Sequence, residues 1–227
     1  MGVTDRYRAP EDLPQVLPVF PLLGAILLPR ATLTLNVFEP RYLELVDFAL
    51  ASGRLIGIVQ PSPDAGSGES PSGKSFPLRQ VGCAGRITAF NEADDGRLLI
   101  SVTGIARFML ASDVGSDHPF RFCALDFTKF AADFVPGHGE EEVDRSGLLA
   151  ALRNYLAANN LSVDWERIDA ASNERLVNTL SILSPYGPEE KQALLEAPDL
   201  RSRGKALVAL AEMELAARDD GSGTSVQ

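Results

Sequence analysis

The run Gly68-Glu69-Ser70-Pro71-Ser72-Gly73-Lys74-Ser75 fits the phosphate-loop pattern GxxxxGK[ST] letter for letter. That chemistry needs a strand feeding a tight glycine loop straight into a helix, whose first N–H groups and the Lys side chain cradle the phosphates. Here Gly68 lies well past the expected strand end at Gln60, Pro77 follows Ser75 closely, and strand pattern resumes by Val81. No length is left for the helix. Phe122-Cys123-Ala124-Leu125-Asp126 imitates the apolar run ending in a magnesium-binding Asp, but alternating β sequence often produces such runs. A nucleotide-binding enzyme acting through Gly68–Ser75 therefore stands as the alternative reading.

His118 precedes Pro119 and His138 sits between Gly137 and Gly139; neither has Cys, Asp or Glu at a zinc-finger or HExxH interval. Cys83 and Cys123 fall within β-like segments, where a thiol is buried and inert, and no GxSxG elbow occurs. The residues thus assign no catalytic group, no cofactor and no metal. Four side chains are instead candidates for an interaction surface: Glu39, Arg41, Phe90 and Phe108. Each has a plainer explanation, since Glu39 and Arg41 suit a helix start and strand aromatics usually fill cores.

The elements that must carry these residues follow from periodicity. Pro18 and Pro21 lack the N–H of a central strand, so Leu17–Leu22 is expected as an extended sheet edge. Thr32–Phe38 alternates, with Leu33, Leu35 and Val37 on one face. Pro40 then opens a helix through Tyr42, Val46, Ala49 and Leu50, with Gly53 as its left-handed exit. Leu55–Val59 reads as a returning strand and Ser62–Ser75 as a mobile loop. Val81–Phe90 and Arg97–Val102 form a hairpin around Asp95-Gly96; Gly104 permits a bend, and Phe120–Phe127 is the last β segment. After a linker at Val135–Glu142 the period is helical, with stripes at Leu148/Leu152/Leu156, Leu176/Leu180/Leu183 and Leu207/Ala211/Leu215.

Composition sets the limits. The chain has 227 residues, 45% of them hydrophobic, and a net charge of −10; its pI is about 4.7. That balance opposes phosphate backbones and anionic lipid, and no window gathers the basic density a nucleic-acid surface needs. The expected partners exclude nucleic acid and membrane. No apolar stretch approaches a bilayer span and no secretory leader opens the chain, so a reducing, cytoplasmic setting is expected.

Leu17-Pro18-Val19-Phe20-Pro21-Leu22, Leu28-Pro29 and Phe38-Glu39-Pro40-Arg41-Tyr42-Leu43, in that order, resemble the amino-terminal, substrate-binding domain of Lon proteases. Asp95–Leu99 leading to Gly104–Phe108, and Ser184-Pro185 through Glu189–Glu196, agree with the same family. The resemblance implies an α+β fold: a PUA-like, mostly antiparallel β pseudo-barrel with one embedded helix, followed by a C-terminal helical bundle. The expected division is a barrel domain at 12–134, a helical subdomain at 135–218, and flexible termini at 1–11 and 219–227. No likeness to the family's ATPase or peptidase modules is seen, so the resemblance implies a non-catalytic module. Its partners would be unfolded or tagged polypeptides or a protein partner, with proteolysis adaptor as one form of that role. Related barrels bind RNA, which the acidic balance opposes.

Overall fold

The computed structural model describes residue 4, residues 6–63 and residues 76–222. The whole Gly68–Ser75 run, Lys74 included, lies outside the described residues. The elements are β1 (Val16–Pro21), β2 (Thr32–Val37), α1 (Pro40–Ala51), β3 (Leu55–Pro61), β4 (Leu78–Glu92), β5 (Leu98–Val114), β6 (Arg121–Asp126), α2 (Arg145–Ala158), α3 (Trp165–Ala170), α4 (Asn173–Leu183), α5 (Pro188–Glu196) and α6 (Leu200–Ser222). The fold is mixed α+β around a six-stranded sheet of order β2-β5-β4-β3-β1-β6. Among the described strands only the β1–β3 pairing is parallel, with one further parallel bridge between Pro29 and Gly104. The end of long β5 also pairs with β6, so the pairing returns on itself through β5-β4-β3-β1-β6. Among the described residues this leaves β2 with one strand neighbour.

The Pro18–Pro21 strand is not at an edge: β1 lies between β3 and β6. Leu22 N donates to Val59 O, so by alternation the nitrogens of Phe20 and Pro18 face β3, and that of Pro21 faces β6. Pairing with β3 begins at Val19 and pairing with β6 ends there. Each proline nitrogen therefore points past the end of a ladder, where no donor is required.

Gly104 does mark a bend. Gly85 pairs with Gly104 and Ala84 with Ala106, leaving Ile105 as the extra residue of a bulge. The chain at Leu28–Ala31 crosses here, with Arg30 N bonded to Gly104 O and Gly104 N to Ala31 O, both at 2.9 Å. A methyl on Gly104 would collide with the Leu28 carbonyl. Gly104→Ala should therefore cost about 1–3 kcal/mol as overpacking, read as a lower denaturation midpoint.

Both faces of the sheet are covered. One face packs Phe20, Ile56, Ile58, Ile100 and Val102 against Tyr42, Leu45 and Val46 of α1 and against Leu148, Val177, Leu194 and Leu207 of the tail. The other packs Leu17, Val19, Val59, Ala106 and Phe108 with Tyr7, Phe127 and Phe134. After β6 the chain passes through the 3-10 segment Thr128–Phe134, and the first core takes residues from both sides of it, Phe120 before and Val143 and Leu148 after, with Phe130 within. The segment before residue 12 is docked from Tyr7 onward, since that ring is buried and Pro10–Asp12 forms a 3-10 turn. At the other end α6 stays helical to Ser222, running through both Gly204 and Gly221. The left-handed residue after α1 is Arg54 (φ 61°), whose N donates to Ala49 O, and not Gly53.

Carboxylate caps start the tail helices: Asp144 accepts from Gly147 N at 3.0 Å and Asp199 from Ser202 N at 2.6 Å. These backbone bonds hold both carboxyls below their usual range. A depressed folded-state pKa contributes stability that is present above the unfolded value, near 4, and is lost as pH falls through the lower folded value. Thermal melts followed at 222 nm should show a tail that weakens below about pH 4, and an Asp144→Ala/Asp199→Ala variant should lose part of that acid sensitivity.

Candidate functional site

The Gly104 N–Ala31 O bond makes Ala31 and Gly104 a hydrogen-bonded pair, and β2 continues that register from Thr32↔Thr103 to Val37↔Leu98. Alternation then turns the N–H and C=O of Leu33 and Leu35 toward β5, and those of Thr32, Thr34 and Asn36 outward. Among the described residues no backbone or side-chain group bonds these outward groups. Side chains alternate correspondingly, with Leu33 and Leu35 half-buried and Thr32, Thr34 and Asn36 exposed.

Three large apolar side chains are exposed toward this end of the sheet, Phe38 63%, Phe90 52% and Leu99 49%, with Leu99 on β5 next to β2 and Phe90 on β4 beyond it. Phe90 and Leu35 both pair with Ile100 and share its face; Leu99 stands on the opposite face between Asn36 and Asn91. Phe38 leaves β2 and leads into α1. Glu39 and Arg41 follow, their ion pair closed at 2.7 Å and the guanidinium 4.6 Å from the Tyr42 ring centroid. Glu39 makes no side-chain cap bond, because its carboxylate holds Arg41.

Phe108 is elsewhere. It is fully buried in the second core, edge-on to Phe127 at 6.3 Å, and it fills the space that Gly57 and Gly82 leave on neighbouring strands. A Cβ on Gly82 would lie 2.6 Å from Ile58 O and inside the Phe108 ring, and one on Gly57 3.2 Å from Cε1. Phe108 therefore cannot contact a partner, and the expected surface reduces to Glu39, Arg41 and Phe90. Sequence reading passed over Phe38 and Leu99. The signal for Leu99 was present in Leu98-Leu99-Ile100: with a two-residue period, the middle apolar residue must face away from its neighbours.

The reactive types sit where chemistry is suppressed. Burial pushes the Cys83 thiol far up and that of Cys123 to about 11, so neither supplies thiolate near neutrality. His118 meets Glu44 at 3.1 Å and stacks on Phe120 at 4.8 Å. Among the described residues no three metal-ligating side chains converge, and no helix is long and apolar enough to cross a membrane.

A second polar constellation, unanticipated from sequence, joins sheet to tail. Arg107 on β5 holds Asp133 through Nε and Nη2, each at 2.8 Å, and Arg107 N donates to the same carboxylate at 2.9 Å. Its Nη1 reaches Leu195 O and Ala197 O at the end of α5, and its plane lies 4.4 Å from the Phe130 centroid. Arg30, in left-handed backbone at φ 59°, clamps Glu174 of α4 and donates to Asp133 O.

This fold is similar to that of solved Lon amino-terminal domains. The Lon N-terminal domain protein from Xanthomonas campestris superposes with a TM-score of 0.59 at 24% identity, over 86% of this chain and 97% of that one. The N-terminal domain of Mycobacterium avium complex Lon protease gives 0.61 at 16% identity, over 87% and 98%. The family model for the ATP-dependent protease La (LON) substrate-binding domain matches residues 16–212, and the chain belongs to that family. Lon protease of Syntrophus aciditrophicus is 24% identical over 214 residues, and Lon protease 2 of Myxococcus xanthus 26% over 205. The chain spans about a quarter of the length of these relatives, 26% and 24% respectively.

Proposed function

We propose that this protein captures unfolded or tagged polypeptide segments without transforming them, by adding an extended segment to the open edge of β2. The observation that carries the reading is the row of outward backbone groups at Thr32, Thr34 and Asn36, with Phe38 at its end and Leu99 and Phe90 exposed on the next two strands. Backbone bonds to such an edge supply affinity for any sequence, while apolar side chains on both faces favour segments with alternating apolar residues. That is what a module receiving non-native chains requires, and family membership agrees with it. In this reading the sheet acts as a PUA-like pseudo-barrel over 12–134, the 135–218 helices brace it, and Glu39 and Arg41 stand beyond the end of the β2 edge. A proteolysis adaptor is one form of the role. The acidic balance speaks against RNA as the ligand.

Thr34→Pro tests the mechanism, because it deletes an outward N–H and leaves the β2–β5 ladder intact. Anisotropy titration of a fluorescein-labelled, permanently unfolded peptide should show affinity lowered about tenfold, the worth of one or two net hydrogen bonds and a spoiled edge. Met213→Ala, on exposed α6, should leave it unchanged. Equal binding by wild type and Thr34→Pro would reject strand addition, and no binding by wild type would reject polypeptide capture.

A further inference from the structure

A polar cavity of about 140 Å³ lies where the tail meets β5, walled by Arg30, Arg107, Asp133, Glu174, Asn178 and Arg203. Most charges around it are paired. Arg30 is clamped to Glu174, Arg107 to Asp133, and at the margin Arg201 approaches Glu142 to 3.7 Å. Asp199, also on the wall, is occupied in capping α6 through Ser202 N.

Arg203 is different. It is 3% exposed, and among the described residues no carboxylate forms an ion pair with it. Nε donates to Leu194 O and Nη1 to Asn178 Oδ1, each at 2.8 Å, while Nη2 has no partner. Burial, reinforced by the neighbouring Arg107 charge, pulls this guanidinium down to about 9. The wall as a whole sets four arginines against four carboxylates, and Arg203, which has no direct ion pair among the described residues, keeps an unused donor.

A buried donor without an acceptor is costly, above all on a guanidinium. Water satisfies the donor with a neutral bond, an anion with a charge-assisted one. The cavity has room for a phosphate-sized group, whose oxygens accept charge-assisted bonds from guanidinium donors. Moreover α6 opens at Leu200 on the same wall; Asp199 already caps its Ser202 amide, and the helix dipole adds a positive field there. We propose that this cavity binds a small oxyanion, held chiefly by Arg203 with Arg107 and the start of α6, and that the anion fastens α5 and α6 to β5. The proposal is independent of the strand-addition reading.

Inorganic phosphate is the probe, with the full chain held at constant ionic strength by chloride. The expected result is a saturable rise in Tm of about 5 °C when phosphate reaches roughly a hundredfold over its Kd, with matching broadening of the phosphorus resonance. Arg203→Met should remove at least nine-tenths of the phosphate increment. Arg203→Lys, which retains charge but lacks the forked donor, should weaken binding about tenfold or more. Should Arg203→Met fail to fold, the lysine variant and the wild-type phosphorus titration still decide. A rise matched by chloride, an absence of broadening, or an undiminished increment in the variants would each overturn the proposal and leave a water-filled cavity.

Discussion

Asp133→Ala is expected to lower the unfolding free energy by about 3–5 kcal/mol, the cost of leaving a buried charge without its partner. The Asp133 carboxylate takes three bonds from Arg107, and the carbonyl of the same residue takes one from Arg30. Without it, Arg107 and Arg203 face each other as buried cations beside the end of α5. The loss should be felt by the tail as much as by the sheet, because Arg107 is what ties Leu195 and Ala197 to β5. Tm should fall by about 8–15 °C, and proteolysis should cut the tail first. Intact stability in Asp133→Ala would mean that the guanidinium is held by the α5 carbonyls alone.

Phe108→Ala should cost a similar amount, about 3–5 kcal/mol, from lost apolar burial plus the cavity left behind. The surroundings cannot close over that void. Gly57 and Gly82 contribute no side chain, and their strands are fixed by ladders on both sides. Phe108→Leu should recover most of the loss. A cost under about 1 kcal/mol for the alanine variant, measured in urea, would show that the second core collapses readily.

These two sites mark how far the sequence could be read. The alternation of Thr32–Val37, the hairpin about Asp95-Gly96, the bulge near Gly104 and most of the tail's helical stripes follow from local pattern and are present in the structure, whereas Leu183, expected on a stripe, is 71% exposed at the end of α4. Long-range pairing was not legible. Whether Pro18 and Pro21 sit at an edge depends on where two ladders stop, and no local rule contains that. Likewise, Phe90 and Phe108 look alike as strand aromatics. One is exposed because its strand outruns the core, and the other is buried because glycines on two neighbouring strands make space for it. Arg107 between Ala106 and Phe108 signalled a charge facing opposite to the second core, but only the fold brings Asp133 to it.

The family likeness rests on motifs that the structure explains. Pro40-Arg41-Tyr42 starts the helix whose Tyr42 ring lies 4.2 Å from that of Phe20, so the Val19-Phe20-Pro21 and Glu39–Leu43 motifs are two sides of one packing contact. The candidate edge between them is built from residues that no motif singles out.

Hydrogen exchange resolved along the chain, with and without a saturating unfolded polypeptide, tests polypeptide capture most directly. The expected result is slowed exchange concentrated at residues 32–38, strongest at the Thr34 and Asn36 amides, with lesser protection near Phe90 and Leu99. Binding that protects only the helical tail, or leaves the β2 amides exchanging at their free rate, would contradict it.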